Sequence, residues 1–353
     1  MSLRSSLRSP RSRRLSRGLI AAAVATTVAV TAGCTSSGSS DSGSSTPGMT
    51  TVSFALSYIP DPSLNGLSYA IDQGWFAEQG ITVDIVPFGS SPAETLVSTG
   101  VADLGFGSDI RSVLIAQAAG ADVKSFFTTY QHVPYSLTVL ADSSYNRPAD
   151  LAGTTFGTFG SPSEVAVADD MITADGGSKG VEPVTLSTDI YSALSQGRVD
   201  STLSFPGDAF AIEQTGHKVR TWSTTDFGLP DTYSGLLLSS TKYADAHPDI
   251  VRKFTQVMQR GYEAALSDPA AANAAVLKQF PNDLSADLVD YVSKIQNASL
   301  IPGPTGVVGF QSADIWQQNA DWLIKHGLLV DANGQTLSTF DTSPLFTIDD
   351  LTK

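Results

Sequence analysis

From residue 51 onward, short apolar runs alternate with segments of helical spacing, and glycines or capping residues separate the two. The runs Val52–Leu56, Thr82–Val86 and Ala102–Phe106 predict strands. Helices are predicted between them, over Gly66–Gln73 and from the capping box Ser91-Pro92-Ala93-Glu94. This alternation favours α/β architecture with largely parallel sheets.

The pattern continues to about residue 204 and then becomes helical. Ser136–Ala141, Thr154–Thr158 and Val199–Leu203 predict further strands, and Ser161-Pro162-Ser163-Glu164 predicts a second capping box. Four helices are expected in the C-terminal third, beginning after His247, Asp268, Ser285 and Ser312. In the first of these, apolar residues recur at steps of three and four and predict a core face: Val251, Phe254, Met258, Tyr262 and Ala265.

Residues 1–33 have the layout of an export signal. Six arginines and no acid occur in residues 1–17, and Gly18–Gly33 carries no charge. That uncharged stretch is shorter than the roughly 20 residues that a membrane-spanning helix needs, which favours a signal over an anchor. Small residues precede Cys34, the only cysteine, in a way that resembles the lipobox of bacterial lipoproteins, so we expect Cys34 to be lipidated.

The segment that follows predicts a flexible tether, residues 34–50, because its Ser/Gly composition cannot form a core. With no second cysteine, the folded part is expected to lack disulfides. Removing the six signal arginines leaves 15 Lys and Arg against 35 Asp and Glu, a net charge of about −20. That charge argues against nucleic acid or anionic lipid as a partner.

No catalytic or metal-binding pattern is evident. The sequence has neither a G-x-S-x-G elbow at Ser108 nor a phosphate-binding glycine motif, and the neighbouring Asp169 and Asp170 are expected on a solvated face. We therefore expect no cofactor and no metal. The four histidines are scattered without metal-ligand spacing: His132, His217, His247 and His326.

Polar and aromatic loops follow several predicted strands, and ligands of open α/β sheets bind at the carboxyl ends of strands. These loops are Ser57-Tyr58-Ile59-Pro60-Asp61, Gly107-Ser108-Asp109, Tyr130-Gln131-His132, Gly160-Ser161-Pro162 and Ser204-Phe205-Pro206-Gly207-Asp208.

Over about residues 52–330 the sequence resembles the ABC-transporter substrate-binding proteins for nitrate, sulfonates, taurine and thiamine pyrimidine precursors. Four segments in order carry the resemblance: Gly66–Phe76, Val101–Gly105, Arg147–Gly153 and Ala193–Asp200. It implies a type II periplasmic-binding-protein clamp of two α/β lobes, formed by residues 51–134 with 230–353 and by residues 135–229. It also implies a monomer that binds a small molecule, closes by a hinge, and delivers its ligand to a permease and, through it, an ATPase.

Within that family, Tyr58 and the segment 226–233 favour the branch that binds pyrimidine precursors, although Leu64 stands where that branch usually has His. The resemblance implies aromatic rings around a flat heterocycle and a carboxylate near Glu164 holding an amino group. The acids Asp61, Asp109, Glu164 and Asp208 have only Arg111 as a nearby cation, which favours a neutral or cationic ligand. A sulfonate, taurine or nitrate receptor is the alternative, and a pyrimidine-phosphate-synthase-like enzyme is the alternative of another class.

The predicted ligand-binding residues lie in or beside these loops. Several have a second interpretation: Glu164 and Asp109 as helix caps, Tyr58 and Phe106 as core aromatics, and Gln131, His132 and Tyr233 as hinge residues. The full set is Tyr58, Pro60, Asn65, Phe106, Ser108, Asp109, Gln131, His132, Ser161, Glu164, Ser204, Asp208 and Tyr233.

Overall fold

The computed structural model describes residues 48–89, 91–186 and 189–352. The predicted signal, Cys34 and most of the tether lie outside these residues. The strands in the described part are β1 (Thr50–Ala55), β2 (Ile81–Val86), β3 (Leu104–Asp109), β4 (Lys124–Tyr130), β5 (Ser136–Leu140), β6 (Thr155–Thr158), β7 (Glu182–Thr185), β8 (Ser201–Ser204), β9 (Val219–Ser223) and β10 (Ser234–Ser239). The α-helices there are α1 (Asn65–Asp72), α2 (Trp75–Glu78), α3 (Ala93–Ser98), α4 (Ile110–Ala118), α5 (Pro162–Ala174), α6 (Ile190–Ser195), α7 (Pro206–Gln214), α8 (Thr241–Ala246), α9 (Pro248–Ser267), α10 (Pro269–Gln279), α11 (Ala286–Ile295) and α12 (Ala313–Lys325).

The strands form two five-stranded sheets. The first sheet has the order β2-β1-β3-β10-β4, and the second has the order β7-β6-β8-β5-β9. β1 pairs in parallel with β2 and β3, whereas β10 lies antiparallel between β3 and β4. In the second sheet β6 is parallel to β7 and β8, and β5 is antiparallel to β8 and β9. The predicted α/β fold is confirmed, and both sheets are mixed.

The chain passes from the first sheet to the second between β4 and β5, and it returns between β9 and β10. The two crossings are tied together by His132, whose Nδ1 lies 2.5 Å from Asp231 Oδ2. A pair of crossings of this kind is where a hinge between two lobes would bend. We retain residues 51–134 with 230–353, and residues 135–229, as the proposed lobes.

Helix α9 lies in the core under the first sheet. Val251, Phe254, Met258, Tyr262 and Ala265 are all buried, which confirms that this periodic stripe is a core face. The helix also packs closely on α1. A Cβ atom at Gly66 would lie 2.6 Å from the Tyr262 ring, so only glycine permits this approach.

The predicted helix caps divide into two groups. Asp109, Asp268 and Ser285 each accept a hydrogen bond from a backbone N–H in the first turn of their helix, as expected of N-caps. Neither predicted capping box forms. In the first, Pro92 occupies the N-cap of α3 and the Glu94 carboxylate accepts instead from Ser108 N–H.

In the second predicted capping box, Ser161-Pro162-Ser163-Glu164, the Ser161 hydroxyl bonds to Ser163 Oγ at 2.7 Å and makes no capping hydrogen bond.

The expected solvated face at Asp169 and Asp170 is also wrong. The Asp170 carboxylate on α5 accepts from Nε1 of Trp322 on α12 at 2.8 Å and lies 2.9 Å from Nε2 of His326, the residue after that helix. Asp169 accepts from Val181 N–H at 2.8 Å. These carboxylates are half-buried and join separate parts of the chain, because tertiary packing places N–H donors beside them.

Candidate functional site

A cavity of about 710 Å³ is lined by residues that follow strands of both sheets. Each of the five polar loops predicted from the sequence contributes at least one residue to it. This volume lies in the range that holds a small organic molecule. The lining residues that carry the argument below are Tyr58, Asp61, Phe88, Glu94, Phe106, Ser108, Asp109, Tyr130, Tyr135, Phe159, Ser161, Glu164, Tyr191, Phe205 and Asp208.

Aromatic side chains form much of the cavity wall. Tyr58, which follows β1, has its ring centroid 5.5 Å from that of Phe88 and 6.2 Å from that of Phe159, which follows β6. The Phe159 centroid lies 6.3 Å from that of Tyr191 on α6. A row of rings therefore runs from the loops of the first sheet to those of the second. Such rings offer flat faces on which a planar ligand can stack.

A second aromatic pair lies on the side of the second sheet. The Tyr135 and Phe205 rings are 4.8 Å apart between centroids. The Tyr135 hydroxyl donates to Glu164 Oε1 at 3.4 Å. Tyr135 thereby connects the aromatic wall with one of the carboxylates.

Five carboxylates line the same cavity: Asp61, Glu94, Asp109, Glu164 and Asp208. Asp61 accepts from Ser63 N–H at 2.6 Å, and Asp208 accepts from Phe205 N–H at 2.9 Å. Desolvation raises the pKa of Asp208 to about 6, and the nearby Asp61 charge adds to the effect. Desolvation raises the pKa of Asp61 as well.

Glu94 and Glu164 are also desolvated. Burial raises the pKa of Glu94, and the Ser108 N–H, at 3.3 Å from Oε1, opposes the change. Burial raises the pKa of Glu164, although its carboxylate accepts from the Thr158 hydroxyl and from Phe159 N–H at 3.0 Å. The Asp109 charge adds to the rise for both.

No Lys, Arg or His is among the described residues that line the cavity. Arg111, the one cation predicted near the acids, is buried beside them and used elsewhere. Its Nε donates to Asn319 Oδ1 at 2.9 Å, and its guanidinium donates to Pro230 O at 3.1 Å. Its Cζ lies 4.6 Å from the centroid of the Trp322 ring. The cavity therefore combines aromatic faces with five carboxylates, and the nearby Arg111 charge offsets in part only that of Asp109.

Seven predicted ligand-binding residues line the cavity: Tyr58, Phe106, Ser108, Asp109, Ser161, Glu164 and Asp208. Two of them also have the structural role that was their alternative interpretation, as a helix cap or a core aromatic. Asp109 caps α4 by accepting from Ser112 N–H at 2.8 Å. Phe106 is 4 % exposed and packs edge-on against Phe54 in the core.

The other six predicted residues are not part of the cavity lining. Gln131 is buried, and its Nε2 donates to Phe310 O at 2.8 Å. Tyr233 is buried too, and its hydroxyl accepts from Ser312 N–H at 2.9 Å. Ser204 bonds to Thr138 Oγ1 at 2.7 Å inside the second sheet. His132 lies at the crossing beside Asp231, and the remaining two are Pro60 and Asn65.

Glu94 and several aromatic residues of the lining were not among the predicted site residues. Phe88, Phe159 and Phe205 each lie one or two residues after a strand, the same signal that selected Tyr58. Tyr191 lies within α6, and no sequence pattern distinguishes it from a core residue. Among the described residues, no group of three His, Cys, Asp or Glu has the geometry to hold a metal ion.

A model of the family described as NMT1/THI5 like matches residues 61–272. The formylaminopyrimidine-binding protein of Halalkalibacterium halodurans is 26 % identical over 290 residues, covering 80 % of this chain and 87 % of that protein. The riboflavin-binding protein RibY of Chloroflexus aurantiacus is 24 % identical over 301 residues, with 80 % and 83 % covered.

Among solved structures, the alkanesulfonate-binding protein SsuA from Xanthomonas axonopodis pv. citri, bound to MOPS, superposes with a TM-score of 0.64. It is 20 % identical, and the match covers 82 % of this chain and 96 % of that one. At this identity the likeness shows the fold and leaves the ligand open.

Proposed function

Because the chain belongs to the NMT1/THI5 like family and is a solute-binding protein of an ABC transporter, we propose that its ligand is a flat, neutral or cationic heterocycle such as a thiamine pyrimidine precursor. The observation that carries this proposal is the cavity lining, whose described residues include eight aromatic residues and five carboxylates but no cationic side chain. The family and the two curated relatives, both named as binding proteins, agree with the prediction that the chain is not an enzyme.

The aromatic wall supports a planar ligand. Tyr58 and Phe159 approach the cavity from opposite sheets and touch edge to face, so a ring beside them would contact both. The carboxylates of Glu94 and Glu164 accept hydrogen bonds and are suited to amino groups or protonated ring nitrogens. The formylaminopyrimidine bound by one relative and the riboflavin bound by the other belong to this broad class of flat nitrogen heterocycles.

A sulfonate, taurine or nitrate ligand is the second candidate, favoured by the fold shared with an alkanesulfonate-binding protein. An anion in this cavity would face five carboxylates, of which Asp61, Glu94, Glu164 and Asp208 are desolvated. Bringing like charges together in a desolvated site is strongly unfavourable. The lining therefore favours the heterocycle.

The protein is proposed to act outside the cytoplasm, anchored by a lipid on Cys34 and held at a distance by the Ser/Gly tether of residues 34–50. The described residues contain no helix that is both long and apolar enough to span a bilayer. Its proposed partners are a permease and, through that permease, an ATPase. The permease would recognise the closed form, in which the ligand contacts both lobes.

A thermal-shift screen followed by calorimetry tests the ligand class. The panel contains hydroxymethyl- and aminopyrimidines, thiamine, riboflavin, taurine, an alkanesulfonate and nitrate. A ligand at 100 times its Kd adds about 2.7 kcal/mol to stability, which a melting curve resolves. Stabilisation by pyrimidines alone would support the proposal, and stabilisation by sulfonate or nitrate alone would overturn it.

A pair of matched variants ties the binding to the cavity. Tyr58→Leu removes a ring from the aromatic wall and should weaken binding of a stacked heterocycle. Tyr69→Leu removes a tyrosine of α1 whose ring lies against Trp75, outside the cavity, and should leave binding unchanged. Equal effects from both variants would contradict the stacking role of Tyr58.

A further inference from the structure

Two of the cavity carboxylates come from opposite sheets. Asp61 follows β1, and Asp208 lies in the first turn of α7, directly after β8. Both residues line the same cavity. Asp61 accepts from one backbone N–H, that of Ser63, and Asp208 accepts from that of Phe205. Neither forms a salt bridge with any described Lys, Arg or His.

The other titratable groups that face this pair are tyrosines. Tyr191 bonds to Asp208, and the Asp208 and Asp61 charges both raise the pKa of Tyr58, after desolvation. The Asp208 charge also raises the pKa of Tyr135, after desolvation and the charges of Glu164 and Asp109. Tyr130 and Tyr262 face Asp61, whose charge raises the pKa of each, again after desolvation. A protonated tyrosine is neutral and cannot balance a carboxylate. The negative charge of the pair is therefore left to whatever occupies the cavity.

We propose that the ligand is bound as a cation, with its positive group held between Asp61 and Asp208, so that these two residues select a charged ligand over a neutral one of the same shape. The inference rests on the proposed function and adds the charge state of the ligand. An ammonium or protonated ring nitrogen there would attract carboxylates of both sheets at once. The two carboxylates repel each other when both are ionised, and a cation between them would be attracted to both.

The rival possibility is that one acid of the pair is protonated and donates a hydrogen bond to a neutral ligand. The two cases differ in their response to the charge of the ligand and to pH. A cationic ligand loses affinity as pH falls and Asp208 becomes protonated. A neutral acceptor gains affinity over the same interval, since the donor becomes more abundant.

The test compares two probes by calorimetry at pH 7.5 and pH 5: 4-amino-5-aminomethyl-2-methylpyrimidine and its 5-hydroxymethyl counterpart. The aminomethyl group is an ammonium at both pH values, and the two probes otherwise match in shape. The 4-aminopyrimidine ring of both probes takes up a proton towards pH 5, so the charged and the neutral ligand are compared at pH 7.5. We expect the ammonium probe to bind at least about tenfold more tightly at pH 7.5 and to lose this preference towards pH 5. Asp208→Asn and Asp61→Asn should each weaken it about 30-fold or more, with little change for the alcohol.

Two control variants locate the effect. Glu213→Gln removes an exposed acid from the same helix, α7, and should leave both affinities unchanged. Glu164→Gln removes a cavity acid outside the pair. If Glu164→Gln abolishes the preference for the ammonium and Asp208→Asn does not, the ammonium is bound by Glu164 and the inference is wrong.

The inference and the proposed function fail in different ways. Equal affinities for the two probes at pH 7.5 would overturn the inference and leave the heterocycle proposal standing. Tighter binding of the alcohol than of the ammonium at pH 7.5, retained in Asp208→Asn or Asp61→Asn because an amide N–H can also donate, would identify the protonated-acid alternative instead. Binding of neither probe, together with stabilisation by a sulfonate or nitrate, would overturn the proposed function and the inference with it. The Asn side chain keeps an oxygen that can accept from Ser63 N–H or Phe205 N–H, so we expect Asp61→Asn and Asp208→Asn to fold. Melting curves without ligand check this.

Discussion

The side chain of Asp208 illustrates how much one buried acid influences this site. Its pKa is raised to about 6, chiefly by desolvation and also by the charge of Asp61, even though Phe205 N–H donates to it. A carboxyl whose pKa is higher in the folded chain favours folding most below its unfolded pKa, near 4. That contribution is lost as pH rises through about 6. The ionised side chain is therefore a cost to the unliganded fold at neutral pH.

We expect Asp208→Asn to leave the melting temperature of the unliganded protein nearly unchanged at pH 4 and to raise it by a few degrees at pH 7.5. Asn is neutral at both pH values and keeps an acceptor for the backbone. Differential scanning calorimetry across this pH range measures the difference between the two proteins. The exposed variant Glu213→Gln should show no such trend, and a difference for Asp208→Asn that is independent of pH would contradict the assignment.

Individual site residues could be predicted only in part, because position along the chain does not fix the direction of a side chain. Ser204 and Phe205 are neighbours at the end of β8, and alternation along a strand sends them to opposite sides. Ser204 bonds to Thr138 within the sheet, whereas Phe205 lines the cavity. Gln131 turns away to bond Phe310 O, a partner 179 residues later in the sequence. Such distant partners leave no local pattern.

At the scale of helices and strands, most elements with strong local signals were predicted, although β4, a buried run of aromatic residues and threonines, was missed. Helices α9, α10 and α11 were predicted from their apolar spacing and from capping residues or prolines at their starts. β10 was not predicted, since its place between β3 and β4 depends on pairing with segments more than 100 residues earlier. β7 and β9 are short strands at the edges of the second sheet, and their residues are partly exposed, which weakens any apolar pattern.

The contact between α5 and α12 gives a prediction at this scale. Asp170 on α5 accepts from the buried indole N–H of Trp322 on α12. We expect Asp170→Ala to lower the free energy of unfolding by about 1–3 kcal/mol, because it leaves a buried donor without a partner. Urea denaturation followed by Trp fluorescence measures this change. Removing the exposed Lys325, whose Nζ lies 3.9 Å from Asp170, should change stability by less than about 1 kcal/mol.

If Lys325→Ala destabilises the protein as much as Asp170→Ala does, the contact is mainly an ion pair and the indole hydrogen bond contributes little. A double variant Asp170→Ala with Trp322→Phe provides the complementary test. With the donor gone as well, we expect part of the lost stability to return.

In the whole molecule, elements that belong to the two sheets also contact each other outside the cavity. Phe210 on α7 stacks on Tyr291 of α11, with 4.8 Å between the ring centroids. Gly207 at the start of α7 lies beside Val292 of α11. α7 follows a strand of the second sheet, whereas α11 packs with the helices that cover the first. If the lobes open about the crossings near His132 and Asp231, this ring pair must separate.

We therefore expect Phe210→Ala and Tyr291→Ala each to weaken binding of the aminomethylpyrimidine probe by about 2- to 10-fold, although neither residue lines the cavity. Each change destabilises the closed form by removing a stacked ring pair, so the loss should lie mainly in faster release of the probe, measured by stopped-flow fluorescence. The double variant should cost no more than either single change, because the two rings contribute through one contact. Additive losses would instead mean that each ring acts independently, and that the contact between α7 and α11 does not hold the clamp closed.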